Sequence, residues 1–276
     1  MPSTPAGLPQ VDDLRTSLTF HASFDGGVNA VKASGDGTLY SAPAMKARDQ
    51  ATPGLPAGGE VLHARGEGRV GDALRFTRRK SPFVFFKAAH NVPYKKQDWS
   101  GTVSFWLKVD PARELETGFC DPVQITPRAW NDAAFFVEFE KRAESIPFRL
   151  GVYADFEVWN PTKRKFEEIP AAERPLVTVD APPFAGGKWT HVVFTFERFN
   201  TGRPDGTARL YLDGSPHGML SSRVQTFTWE PEAAVIGLGL GYIGAFDELS
   251  VFDRALREPE IRALHGLAGG VGSLIR

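Results

Sequence analysis

The sequence predicts an all-β fold, a two-sheet antiparallel sandwich with a short C-terminal helix. Three observations carry this. Roughly ten short segments alternate apolar and polar residues with the period of a half-buried strand. Turn formers punctuate them throughout, with 28 Gly and 21 Pro in 276 residues. Helical periodicity is nearly confined to one segment close to the end. A single all-β domain of this length is ordinary.

The elements follow in chain order. Leu18–Phe24 alternates and opens the domain after an N-terminal extension, residues 1–17. Residues 26–70 are rich in Gly, Pro and Ala. They read as a long irregular excursion, of the kind that is usually functional or poorly ordered. Ala73–Phe76 and Phe83–Phe86 read as short strands. Gly101–Val109 places Val103, Phe105, Leu107 and Val109 on one face. Ala133–Phe139 and Phe148–Tyr153 follow. Asp155–Pro183 is long and polar enough to fold over a sheet. Lys188–Phe196 alternates again, and Ala208–Leu212 meets Asp213-Gly214, a strong hairpin signal. Ala233–Leu238 precedes the closing strand, which carries Asp247-Glu248. Glu258–His265 is the helix. Glu260 is spaced to reach back to a free backbone N–H, Gly266 is expected to supply a left-handed stop, and Ile261 and Leu264 share the buried face. Residues 268–276 form a tail.

Composition excludes some functions. Lys and Arg total 32 against 33 Asp and Glu, a net charge of −1. Nucleic acid needs a basic footprint, which this balance lacks. The densest basic run, Arg78-Arg79-Lys80, reads as a solvated loop. One cysteine, Cys120, rules out an intrachain disulfide. That suits a cytosolic chain, and equally an exported one stabilised by core size. The first twenty residues lack the apolar core of a signal peptide. Met1-Pro2-Ser3-Thr4-Pro5-Ala6-Gly7 reads as the mature-form start of an exported chain. No apolar run of about eighteen residues is present, so no membrane span is expected.

Five blocks carry a resemblance: Gly71–Phe76, Thr102–Lys108, Gly187–Phe194, Ala208–Gly214 and Ile243–Leu249. In this order they are similar to successive blocks of the laminin-G-like, concanavalin A-like lectin/glucanase jelly rolls, over residues 18–267. Arg257 departs from the pattern, since the family usually caps this helix with Ser or Thr; the cap is then weaker by about 1 kcal/mol. The resemblance implies a jelly-roll scaffold for residues 18–267. It implies a non-catalytic carbohydrate-binding or recognition module of an exported bacterial protein, extracellular or periplasmic, with a glycan or a protein as ligand. A polysaccharide-acting enzyme and a surface-assembly module are the alternatives on the same scaffold.

Candidate sites follow from residue types. Trp130, Asn131, Asp132, Tyr153, Trp159 and Asn160 combine aromatic plates with short polar groups, the two things a sugar site needs. Asp25 follows the first strand and Asp247 lies on the last, strands that are commonly neighbours. Two carboxylates with loop carbonyls suit a structural calcium. Glu138 and Glu140 share a strand face, as a hydrolase pair would, but without the Glu-x-Asp-x-x-Glu strand of hydrolases on this fold they read as a solvent-facing stripe. Trp106 and Trp189 read as core anchors. The six histidines have no zinc spacing, and Gly237, Gly239 and Gly241 precede no helix, so they form no dinucleotide fingerprint.

Overall fold

The computed structural model of the protein describes residues 11–275. The Met1–Gly7 start and the last residue of the tail lie outside the described residues.

Two antiparallel sheets face each other. The nine-stranded sheet runs Ser215–Arg223, Gly206–Leu212, Trp189–Phe199, Trp99–Lys108, Gly244–Phe252, Leu18–Ala22, Lys32–Ala33, and the hairpin Val61–Ala64/Ala73–Phe76 joins it at Gly244–Phe252. The eight-stranded sheet runs Leu176–Val179, Phe148–Tyr153, Ala134–Lys141, Gly118–Thr126, Val235–Leu240, Phe83–Lys87, Tyr40–Ala42, Thr52–Pro53. The first and last long strands pair, with His21 opposite Ser250. This is the expected sandwich. No helix among the described residues is long and apolar enough to cross a membrane.

Alternation sets the core. Val103, Phe105, Leu107, Phe194, Phe135, Val137 and Phe139 all point between the sheets and are buried. Trp99, fully buried, meets Phe196 edge-on at 4.7 Å and Trp229 at 4.9 Å. It stands two residues before the periodic stretch, cut off from its apolar positions by Gly101, and so escapes a periodicity reading. Trp189, expected as a core anchor, is instead partly exposed at the head of its strand, with Lys108 Nζ 5.0 Å from its ring. Trp106 is buried on the outer face of its sheet, stacked on His191 at 4.7 Å and His265 at 5.4 Å.

Three differences from the sequence reading have physical causes. Residues 26–70 are not a structureless excursion: four strands of two to four residues add to both sheets. Strands that short cannot display a period. Gly118–Thr126, unforeseen, is a long strand inside the eight-stranded sheet. Pro122 hides it, because a central strand normally excludes proline. Here a bulge solves the problem: Val137 pairs with Val123 and Phe139 with Cys120, so Asp121 and Pro122 together face Glu138. The third concerns Gly266, which does not adopt a left-handed conformation. The helix Glu258–Gly266 ends with Leu267 N–H donating to Leu264 O at 3.2 Å.

The expected reach-back at the helix start is present: Arg257 N–H donates to Glu260 Oε2 at 2.7 Å. Burial alone would raise Glu260, but bonds from Arg254 and Arg257 hold its pKa down at about 2. Leu14 of the extension and Val271 and Leu274 of the tail join Ile261 and Leu264 in one cluster over Val193, Tyr211 and Phe252. Leu14, Val271 and Leu274 therefore tie the described parts of the extension and the tail to the packed body. They cover part of the outer face of the nine-stranded sheet, whereas the outer face of the eight-stranded sheet carries a pocket.

Candidate functional site

The pocket follows from strand alternation. Phe135, Val137 and Phe139 face the core, so Phe136, Glu138 and Glu140 face outward. Arg149 lies directly opposite Glu138 on the next strand. Loops around residues 45–50, 79–80, 127–132 and 155–175 rise around this face and enclose about 730 Å³. Such a volume suits a small ligand or a few sugar units.

The floor is polar and charged. Arg149 is buried and bridges two acids, Nη2 to Glu138 Oε1 at 2.6 Å and Nη1 to Glu140 Oε2 at 2.7 Å. Glu138 and Glu140 are thus buried and ion-paired, correcting their reading as a solvent-facing stripe: register delivers a guanidinium between them, and loops cover them. The bulge turns Asp121 to the same floor, next to Gln124. Burial, then the charge of Glu138, pushes Asp121 well above the usual carboxylate range, with Arg149 opposing. Burial raises Glu138 too, again against Arg149. Cys120, on the core side of the strand, is pushed up to about 12 by burial and is no nucleophile.

The walls are aromatic. Trp130 and Phe119 are among the most exposed large apolar residues, at 44% and 53%. Trp130 meets Tyr153 edge-on at 5.5 Å and Phe166 at 6.2 Å, while Tyr153 stacks on Phe136 at 5.5 Å.

Of the six residues expected to bind sugar, only Trp130 and Tyr153 line this pocket, and Tyr153 is fully buried behind it. The other four brace its wall. Trp159 packs edge-on against Tyr153 at 4.9 Å and donates Nε1–H to Asn131 O at 2.8 Å. Asp132 accepts from Phe156 N–H at 2.9 Å and pairs with Arg128 at 2.9 Å. Asn160, buried, bonds both backbone groups of Arg164. Phe119, Asp121, Gln124, Phe136 and Arg149 were missed. The first three lie on a strand whose proline conceals its alternation; Phe136 and Arg149 lie on strands the sequence does show, where outward phase was the available signal.

Asp25 and Asp247 hold the same turn. Asp25 Oδ1 accepts from Asp72 N–H at 2.8 Å. Asp247 Oδ2 accepts from Arg69 and Val70 N–H at 2.7 and 3.2 Å, and its Oδ1 from Glu248 N–H at 2.7 Å. Burial and then Glu248 push Asp247 up to about 8; burial and then Asp25, against a backbone bond from Val271, push Glu248 up to about 7. Carboxylate oxygens with lone pairs left over beyond these backbone bonds suit a hard cation in type. Among the described residues no three Asp, Glu, His or Cys side chains are grouped to hold an ion. A calcium would therefore draw most of its oxygens from backbone carbonyls.

A jelly-roll sandwich with a ligand-sized pocket on one sheet defines a broad class, the lectin-like sandwiches. The sequence model of the laminin-G type 3 group of the concanavalin A-like lectin/glucanases superfamily matches residues 86–262, and the chain belongs to that superfamily. Among curated proteins none matches. Domain 4 of AbnA, a GH43 extracellular arabinanase from Geobacillus stearothermophilus solved with arabinotriose, aligns with TM-score 0.53 at 17% identity, over 90% of this chain and 97% of that one. The receptor-binding domain of botulinum neurotoxin C/D mosaic serotype aligns with TM-score 0.58 at 12% identity, over 91% and 51%. The serotype D ligand-binding domain, solved with N-acetylneuraminic acid, aligns with TM-score 0.54 at 11% identity, over 92% and 52%. The chain spans about half the length of the toxin domains. At these identities the likeness is one of fold.

Proposed function

We propose that this chain is a carbohydrate-binding recognition module of an exported protein, and that the pocket over Asp121, Glu138 and Arg149 is its site. The observation that carries the reading is the pairing of exposed aromatic walls, Trp130 and Phe119, with a charged floor in one ligand-sized pocket. Rings pack on the CH faces of a sugar while floor groups bond its hydroxyls. The arabinotriose and N-acetylneuraminic acid found with its structural neighbours agree with this ligand class. A glycan array followed by calorimetry tests it: Trp130→Ala should weaken binding about tenfold, roughly 1–2 kcal/mol. Absence of any saccharide ligand rejects the reading.

Hydrolysis is the second reading, and one observation favours it: Asp121 and Glu138 share the floor, both raised by burial. Against it, Glu138 is committed to Arg149. Reducing-sugar release by the wild type, lost in Asp121→Asn and in Glu138→Gln, would establish it.

We propose further that Asp25 and Asp247 hold a structural calcium that clamps the first and last strands. Chelator should then lower the melting temperature, and Asp247→Ala should abolish that response. At calcium about 100 times its Kd the stabilisation is about 2.7 kcal/mol. Purified protein free of metal by elemental analysis, with melting indifferent to calcium, rejects the clamp.

A further inference from the structure

We propose that the pocket selects anionic saccharides, seating a sugar carboxylate or sulfate against Lys46, Arg48, Arg79 and Lys80 at its mouth. This rests on the carbohydrate-binding reading and adds the class of sugar.

The argument is one of local charge. The whole chain carries a net charge of −1, but the pocket lining does not share that balance. Two of its cations are spent: Arg149 on Glu138 and Glu140, and Arg128 on Asp132 and Asp155. The other four are not. Lys46 and Lys80 are exposed, and among the described residues neither has a carboxylate within ion-pair distance. Arg48 donates Nη2–H to the carbonyl of Pro127 at 2.7 Å, and Arg79 donates Nη1–H to that of Thr117 at 2.6 Å. Carbonyl partners fix a guanidinium in place and leave its charge unneutralised. The nearest acid to Arg79 is Glu116 at 3.9 Å, itself exposed. Against these four stands Glu167, exposed at the mouth.

A second observation lies on the floor. Arg149 is 6% exposed, and its Nε–H has no partner within the protein. A buried donor left empty is costly, so it marks a place for an acceptor from outside. Burial pushes Asp121 well above the usual carboxylate range, which weakens its opposition to an anion. A pocket walled by apolar rings focuses the field of its cations and raises the local concentration of anions.

The test uses an array of matched glycan pairs, each printed with and without its carboxylate or its sulfate, followed by calorimetry on the strongest pair. At low salt the charged member should bind about tenfold tighter or more, and that advantage should shrink as ionic strength rises to about 0.3 M. Lys46→Ala/Lys80→Ala should cost the charged member about tenfold and leave the neutral one unchanged, with melting unaltered because both side chains are exposed. The carboxylate and sulfate pairs distinguish the two sources of charge. Neutral members binding as tightly as charged ones at both salts, with loss only in Trp130→Ala, would overturn this inference and keep the recognition module. No binding by any member would overturn both.

Discussion

Two β-bulges aim carboxylates away from the core of this sandwich, and their surroundings compensate them differently. In the eight-stranded sheet, Asp121 and Pro122 face the single residue Glu138. In the nine-stranded sheet, Glu248 and Leu249 face Phe105, with Glu248 at φ +56°. Both acids are pushed upward, first by burial. On the first face a guanidinium answers the acids, and the site stays open to ligand. On the second, the backbone N–H groups of Arg69 and Val70 answer Asp247 and that of Val271 answers Glu248, and the segment around residue 271 closes over them. A side-chain cation leaves room for a saccharide-sized guest, whereas a backbone cradle leaves room for an ion at most. A bulge is therefore a device for re-aiming a side chain, and what it faces decides whether a binding site results.

The largest way to break the comparison is Arg149→Met. It strands Glu138 without its cation and leaves Glu140 with Arg142 alone, at a cost of about 3–5 kcal/mol in unfolding free energy. Urea denaturation measures it. Adding Glu138→Gln and Glu140→Gln should recover most of the loss, because the unpaired charge is then gone. A single-variant loss below about 1 kcal/mol would mean that solvent, not Arg149, stabilises the floor.

Asp121→Asn sharpens the same contrast through pH. The folded pKa of Asp121 lies above its ordinary value. Its contribution is then fully present below about pH 4 and is lost as pH rises through the folded value. Asparagine stays neutral throughout. The variant and wild type should therefore match near pH 4, and the variant should become the more stable as pH rises, by more than about 1 kcal/mol at the far end. Curves that stay parallel across this range would show that Asp121 is ionised and solvated.

The sequence carried the scaffold because alternation is local: Val103 to Val109 and Lys188 to Phe196 need no knowledge of partners to be read as strands. It carried the site poorly because the site is a matter of register. Glu138 and Glu140 look like a solvated stripe until Arg149 is placed opposite. Asp121 belongs to no element in the sequence until Pro122 is seen at a bulge. Aromatic residues beside polar ones pointed to one wall of the pocket but could not say which ring faces into it. Trp130 and Trp159 both pack edge-on against Tyr153, and of the two only Trp130 lines the pocket.

That pair supplies the smallest and most specific prediction. Trp130 is 44% exposed at the mouth, so Trp130→Ala removes contact area from a ligand and little from the fold. Trp159 is partly buried, donates to Asn131 O and braces Tyr153 from behind. Its truncation removes packing and a hydrogen bond but no ligand contact. Trp159→Ala should therefore lower unfolding free energy by about 2 kcal/mol and weaken saccharide binding only as far as Tyr153 shifts. Trp130→Ala should do the reverse, about tenfold in affinity and under about 1 kcal/mol in stability. Calorimetry and urea titration on the two variants decide it. If Trp159→Ala takes the affinity and Trp130→Ala takes the stability, the binding face lies on the other side of the 155–175 segment, and the pocket over Asp121 is not the site.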